Sequence, residues 1–136
     1  MLYGSETWTL TKTLKDRLQA AEMWFYRRML KISWADRITN QEVLRRAHTE
    51  RALIREVRKR QINFLGHVLR REGMEHHTLT GKIEGRRARG RQRQKFLNSL
   101  VEDLSPNLKP TELIHLARDR SKWRELTVNV PDTTLR

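Results

Sequence analysis

The chain has 136 residues, 29 Lys and Arg against 16 Asp and Glu, a formal net charge of +13 and no cysteine. That length fits one compact domain or a piece of a larger protein, and a hydrophobic content of 37% allows a core, though a shallow one. The composition excludes disulfides, cysteine-ligated zinc, thiol catalysis and iron–sulfur clusters; no apolar run approaches the ~20 residues of a membrane span, and the first residues lack a signal-peptide layout. The expectation is a soluble intracellular or nuclear chain whose partner is a polyanion.

Residues 1–10 read as an extended lead-in bearing Tyr3 and Trp8, with a turn at Gly4-Ser5. A helix is predicted from Thr11 or Thr13, either of which can cap it, to about Ile32. Leu14, Leu18, Ala21, Phe25, Met29 and Ile32 recur at helical spacing and define its expected buried face, widened by Met23, Trp24 and Leu30. Lys15, Asp16, Gln19, Glu22, Arg27 and Arg28 lie mostly off that face. Residues 33–38 form a connector, and Thr39 with Glu42 matches a capping box that should open a short helix over about 40–47.

A long helix is predicted over about 50–72, with Leu53, Val57, Gln61, Leu65 (or Phe64) and Val68 on one stripe and Arg55, Arg58, Lys59, Arg60, Arg70 and Arg71 as a basic face. Gly66 in its interior costs about 1 kcal/mol against alanine and marks a close approach of another helix. Residues 74–95 have little to bury and read as a loop rich in arginine and glycine. Phe96, Leu97, Leu100, Val101 and Leu104 give a short amphipathic helix, and Pro110, Thr111 and Glu112 fit the first turn of a last one that buries Leu113, Leu116, Ala117 and Trp123. Residues 127–136 read as a tail. The fold class expected is all-α, with four to five helices.

The charge is uneven along this layout. Residues 1–40 carry a net +3, residues 41–72 and 73–95 each carry +5, and residues 96–136 are neutral. The middle is therefore the expected binding segment. In the loop, Lys82, Arg86, Arg87, Arg89, Arg91, Arg93 and Lys95 are candidate phosphate contacts, because a guanidinium grips phosphate oxygens in pairs and the intervening glycines let the backbone come close. The alternative is a solvated linker. Arg89-Gly90-Arg91 is similar to an AT-hook core, but Gln92 stands where that motif has proline. Arg55, Arg58, Lys59 and Arg60 of the long helix are the second set; pairing with Glu50 and Glu56 on a solvated face is the competing account.

Other chemistries find little support. His67, His76 and His77 form the one histidine cluster, without a cysteine to complete a metal site, and His67 is expected to be partly buried beside Gly66. No Asp-Asp pair exists for two-metal catalysis, and no nucleophile elbow exists. No cofactor, metal or small-molecule substrate is expected. Trp8, Trp24, Trp34 and Trp123 could stack on bases but lie mostly on or beside apolar faces, which favours core packing.

Several strings, in order, carry a resemblance. Leu2-Tyr3-Gly4-Ser5-Glu6-Thr7-Trp8 comes first, then Glu22-Met23-Trp24 with Tyr26-Arg27-Arg28-Met29-Leu30. Ile32-Ser33-Trp34 precedes Thr39 to Leu44; Phe64-Leu65-Gly66-His67-Val68-Leu69-Arg70 follows, then Gly81-Lys82-Ile83-Glu84-Gly85 leading into Arg87-Ala88-Arg89-Gly90-Arg91-Gln92-Arg93, and Ala117-Arg118-Asp119-Arg120 with Trp123-Arg124 closes the series. Together they resemble the region just beyond the reverse-transcriptase palm of non-LTR (LINE-type) retrotransposon polyproteins, which combine an endonuclease with an RNA-directed DNA polymerase. The resemblance implies a thumb-like helical segment over 1–72, the basic loop over 73–95, a helical pair over 96–126 and a tail. It implies an RNA template or primer–template duplex as partner, contact with an upstream palm, and a nuclear or ribonucleoprotein location. The palm aspartates are not in this chain, so it is not expected to polymerise alone. Phe25 and Gln92 depart from the family pattern, which commonly has cysteine and proline there. A host-retained DNA- or RNA-binding module and a non-functional fragment are the alternatives.

Overall fold

The computed structural model describes residues 2–71, 73–80, 96–105 and 107–130. Among these, the fold is all-α: seven helices, two short 3-10 turns and no strand. The helices are α1 (Lys12–Met29), α2 (Asn40–Arg46), α3 (Leu53–Arg70), α4 (Met74–Thr80), α5 (Phe96–Leu104), α6 (Pro110–Leu116) and α7 (Arg120–Val128). The 3-10 turns are Ser5–Thr7 and Trp34–Asp36. None of the described helices is long and apolar enough to cross a membrane.

Local chemistry sets most boundaries. Thr11, of the two candidate threonines, caps α1 by accepting from the Leu14 amide at 3.3 Å. Thr39 caps α2 by accepting from the Glu42 amide at 3.3 Å, but the carboxylate of Glu42 does not reach back: it takes Arg45 and Arg46 instead, at 2.8 Å each. Both α1 and α2 end on a left-handed non-glycine residue, Lys31 (φ 54) and His48 (φ 48), which lets following amides close on the last carbonyls. The segment expected to be loop from residue 74 begins as helix α4. Its Thr78 and Thr80 hydroxyls donate to the Met74 and His76 carbonyls at 2.8 Å, and Leu79 packs against the core. The single last helix is split in two. Asp119 accepts from the Ser121 and Lys122 amides, at 3.0 and 3.3 Å, and so starts α7 afresh after α6.

The main core lies between the second half of α3 and the C-terminal helices. Ile62, Leu65 and Leu69 of α3 pack with Leu97, Leu100 and Val101 of α5, Leu113 of α6 and Trp123 of α7. Gly66 is the close approach that the sequence called for: a Cβ there would lie 2.2 Å from Trp123 Nε1, which donates to the Ile62 carbonyl at 3.1 Å. Val130, expected in the tail, is buried in the same cluster.

Helix α1 sits differently from its apolar pattern. Its inward side holds Glu22 and Met23, with Lys15 and Tyr26 half-buried, while Leu14, Trp24, Phe25 and Met29 are exposed, Met29 to 75%. The helix is rotated about a quarter turn from the expected orientation. Polar bonds explain the rotation. Glu22 Oε1 accepts from the Ala52 and Leu53 amides at 3.0 and 3.1 Å, capping α3 from another helix where Ala52 has no side chain to do so. Lys15 meanwhile reaches inward to Asp103 of α5.

Candidate nucleic-acid interface

The basic face expected on α3 is taken apart by the fold. Arg58 is the correction: it is 1% exposed and points into the protein. Its Nε donates to Asp103 Oδ2 at 2.6 Å, Nη1 to Gln61 Oε1 at 2.5 Å, and Nη2 to the Ser99 hydroxyl at 3.0 Å. A guanidinium so enclosed by protein acceptors cannot reach a phosphate. Burial pulls its pKa below the ordinary arginine value, opposed by the neighbouring Asp103. The network continues outward: Gln61 Nε2 donates to the Ser5 and Trp8 carbonyls at 3.0 and 2.8 Å, and the Ser99 hydroxyl donates to the Leu10 carbonyl at 3.1 Å. The lead-in, α1, α3 and α5 are thus joined through one buried polar cluster.

The other three α3 candidates stay nearer the surface. Arg55 is half-buried, with its Nε enclosed and unpartnered. Lys59 pairs with Glu56 at 3.1 Å, and the exposed Arg60 lies 3.7 Å from Glu6 and donates to the Leu2 carbonyl at 3.3 Å. Arg70 is spent on the Ala117 carbonyl at the end of α6, at 3.1 Å. Lys82, Arg86, Arg87, Arg89, Arg91, Arg93 and Lys95 lie outside the described residues.

Cations that the sequence reading passed over stand in the open. Arg28, Lys31 and Arg37 are exposed, and among the described residues none forms an ion pair. They cluster in sequence around the 3-10 turn Trp34–Asp36, which is closed at both ends. The Ser33 hydroxyl accepts from the Ala35 amide at 3.3 Å, and Asp36 Oδ2 accepts from the Ser33 amide at 2.7 Å. Ser33 and Asp36 are three residues apart, the spacing of a capping box, and that was the available signal. Arg27 of α1 ties the turn back by donating from Nη2 to the Ile38 carbonyl at 2.5 Å and to Asn40 Oδ1 at 3.1 Å.

The aromatics also depart from the expected core packing. Only Trp123 of the four tryptophans is buried; Trp8 is 37% exposed, Trp24 58% and Trp34 88%. Trp24 meets Phe25 edge to face at 5.1 Å on the exposed side of α1. His67 is exposed rather than tucked beside Gly66, because Trp123 occupies that side of the helix. Among the described residues, no group of three or more His, Asp or Glu is arranged to hold a metal ion.

No family model and no solved structure matches the chain. It is 28% identical to an uncharacterized transposon-derived protein of Caenorhabditis elegans, over a stretch covering 90% of this chain and 48% of that relative, so it spans about half the relative's length. That similarity, running through nearly the whole chain, supports a transposon-related origin.

Proposed function

We propose that the chain is the nucleic-acid-holding, post-palm portion of a non-LTR retrotransposon reverse transcriptase, acting on the phosphate backbone of an RNA template or a primer–template duplex. The observation that carries this reading is the charge distribution: residues 41–95 hold a net +10 of the total +13, while residues 96–136 are neutral. A charge needed only for solubility has no reason to concentrate in this way. The ordered strings shared with that family and the transposon-derived relative support the same origin. The chain supplies grip and not chemistry, the polymerase aspartates belonging to an upstream palm, and it works in the nucleus or in a cytoplasmic ribonucleoprotein. Arg55, Lys59, Arg60 and the loop cations Lys82 to Lys95 are the proposed phosphate contacts.

Binding of a labelled duplex, measured by anisotropy over a range of salt, tests this. The wild-type chain binds with a steep log–log salt dependence and little sequence preference. Replacing Arg86, Arg87, Arg89, Arg91 and Arg93 with alanine lowers the slope by up to about 4, from ~0.9 per phosphate neutralised. An unchanged slope removes the loop from the interface.

A further inference from the structure

A groove of about 710 Å³ opens between the end of α1 and the turn that leads into α2, lined by Arg27, Trp34, Arg37, Ile38 and Asn40 among others. Three observations set it apart from an ordinary surface dent. Trp34 is 88% exposed, yet it is carried by a turn that hydrogen bonds fix at both ends. Arg37 follows in a left-handed conformation (φ 48), exposed and without a protein acceptor for its guanidinium among the described residues. Asp36, the acidic residue of the turn, has Oδ2 committed to the Ser33 amide, and no carboxylate side chain lines the groove. Arg27 uses Nη2 to hold the groove wall.

We infer that this groove is a single-strand site, in which an unpaired nucleobase stacks on the Trp34 indole while Arg37 takes the adjoining phosphate. The inference rests on the nucleic-acid reading above and adds to it residues other than those of α3 and the stretch 82–95. Indole faces stack on any base, so the site is tolerant of sequence. A duplex cannot use it, because its bases are already stacked on one another. A rigid turn matters here, since the backbone that carries the indole is already ordered and loses little conformational freedom on binding. An acidic peptide would satisfy Arg37 but would leave the indole without a planar partner, which is why a nucleotide fits better.

The test compares a fluorescein-labelled dT12 strand, its rU12 counterpart and a 12-base-pair duplex by anisotropy at fixed salt. Trp34→Ala weakens dT12 binding by about 5- to 150-fold, the range expected for losing one stacked base. Its salt slope and its duplex affinity stay as in the wild type, and Trp34→Phe keeps a large part of the affinity. Arg37→Gln lowers the single-strand salt slope by about 0.7. Equal losses for dT12 and rU12 assign the site to base stacking shared by both polymers; a loss confined to rU12 assigns it to RNA. Unchanged single-strand affinity in Trp34→Ala overturns the inference and leaves the proposed function standing, as does an equal loss on the duplex. A wild-type chain that binds none of the three probes overturns both. Trp34 touches too little of the protein for its removal to unfold it, and an unaltered circular dichroism melt verifies that.

Discussion

Arg58 shows how a residue's chemistry can be right and its direction wrong. As part of a basic run it looks like a phosphate ligand; in the fold it is the centre of a polar cluster linking Asp103, Gln61 and Ser99. Removing one member of a buried charge pair strands the others, which typically costs about 3–5 kcal/mol. Arg58→Met should therefore lower the urea midpoint of unfolding sharply while leaving the m-value unchanged. At a urea-free temperature where the variant is still folded, the salt slope of nucleic-acid binding should match the wild type. A reduced slope would mean that Arg58 does reach the ligand. Glu42 provides the complementary case at the surface. Hydrogen bonds from Arg45 and then Arg46 hold its carboxyl down at about 2, from the usual 4.5. A depressed folded value means that the stabilisation is complete above about pH 4.5 and is lost as the pH falls towards 2. The carboxyl resonance of Glu42 should titrate near 2 by NMR. The stability difference between wild type and Glu42→Gln should shrink across that same acidic interval.

At the scale of elements, the packing of α3 against α7 hinges on a missing side chain. Gly66→Ala gains about 1 kcal/mol of helix propensity. It also places a methyl 2.2 Å from Trp123 Nε1, and the indole cannot swing aside without giving up its bond to the Ile62 carbonyl. Overpacking costs about 1–3 kcal/mol before that gain is set against it, and an approach of 2.2 Å belongs at the upper end, so the variant should melt lower, with Trp123 fluorescence shifted to the red. The glycine was readable from the sequence because it stood alone inside a strong helical pattern. The boundaries of α2 and α5 were readable too, from Thr39 and from the run between Phe96 and Leu104. The end of α1, expected near Ile32 and found at Met29, was not, because Lys31 occupies the left-handed position where glycine is the usual marker. Nor was the rotation of α1. Periodicity reports which face is apolar, and says nothing of a carboxylate such as Glu22 that caps a helix 30 residues away. The groove was not legible: the charge pointed to residues 41–95, whereas Trp34 and Arg37 lie on and beside a turn whose capping pair spans only Ser33 to Asp36.

For the whole molecule, the division of labour follows charge. The neutral C-terminal third supplies much of the core, through Leu97, Leu100, Leu113 and Trp123, and the long helix α3 belongs to both that core and the basic middle. The two halves of the described structure are joined by polar bonds as well as by packing, since Asp103 of α5 takes both Lys15 and Arg58. Heat or urea should then unfold the chain in one transition, seen alike by far-ultraviolet dichroism and by tryptophan emission. Two separated transitions would mean that the Asp103 cluster does not couple them.

Gln61 holds the lead-in by its main chain, accepting nothing from it and donating to the carbonyls of Ser5 and Trp8. Every amino acid presents a carbonyl, so the strap that these bonds make is indifferent to which side chains it carries, within the room available. Tolerance to substitution is consequently lopsided across this contact. Residues such as Tyr3, 98% exposed, are free to drift over generations without loosening it. A single exchange of the Gln61 amide for a carboxylate, which has no proton to give, would remove both of these bonds at once and leave the lead-in held by Arg60 at the Leu2 carbonyl and Ser99 at the Leu10 carbonyl.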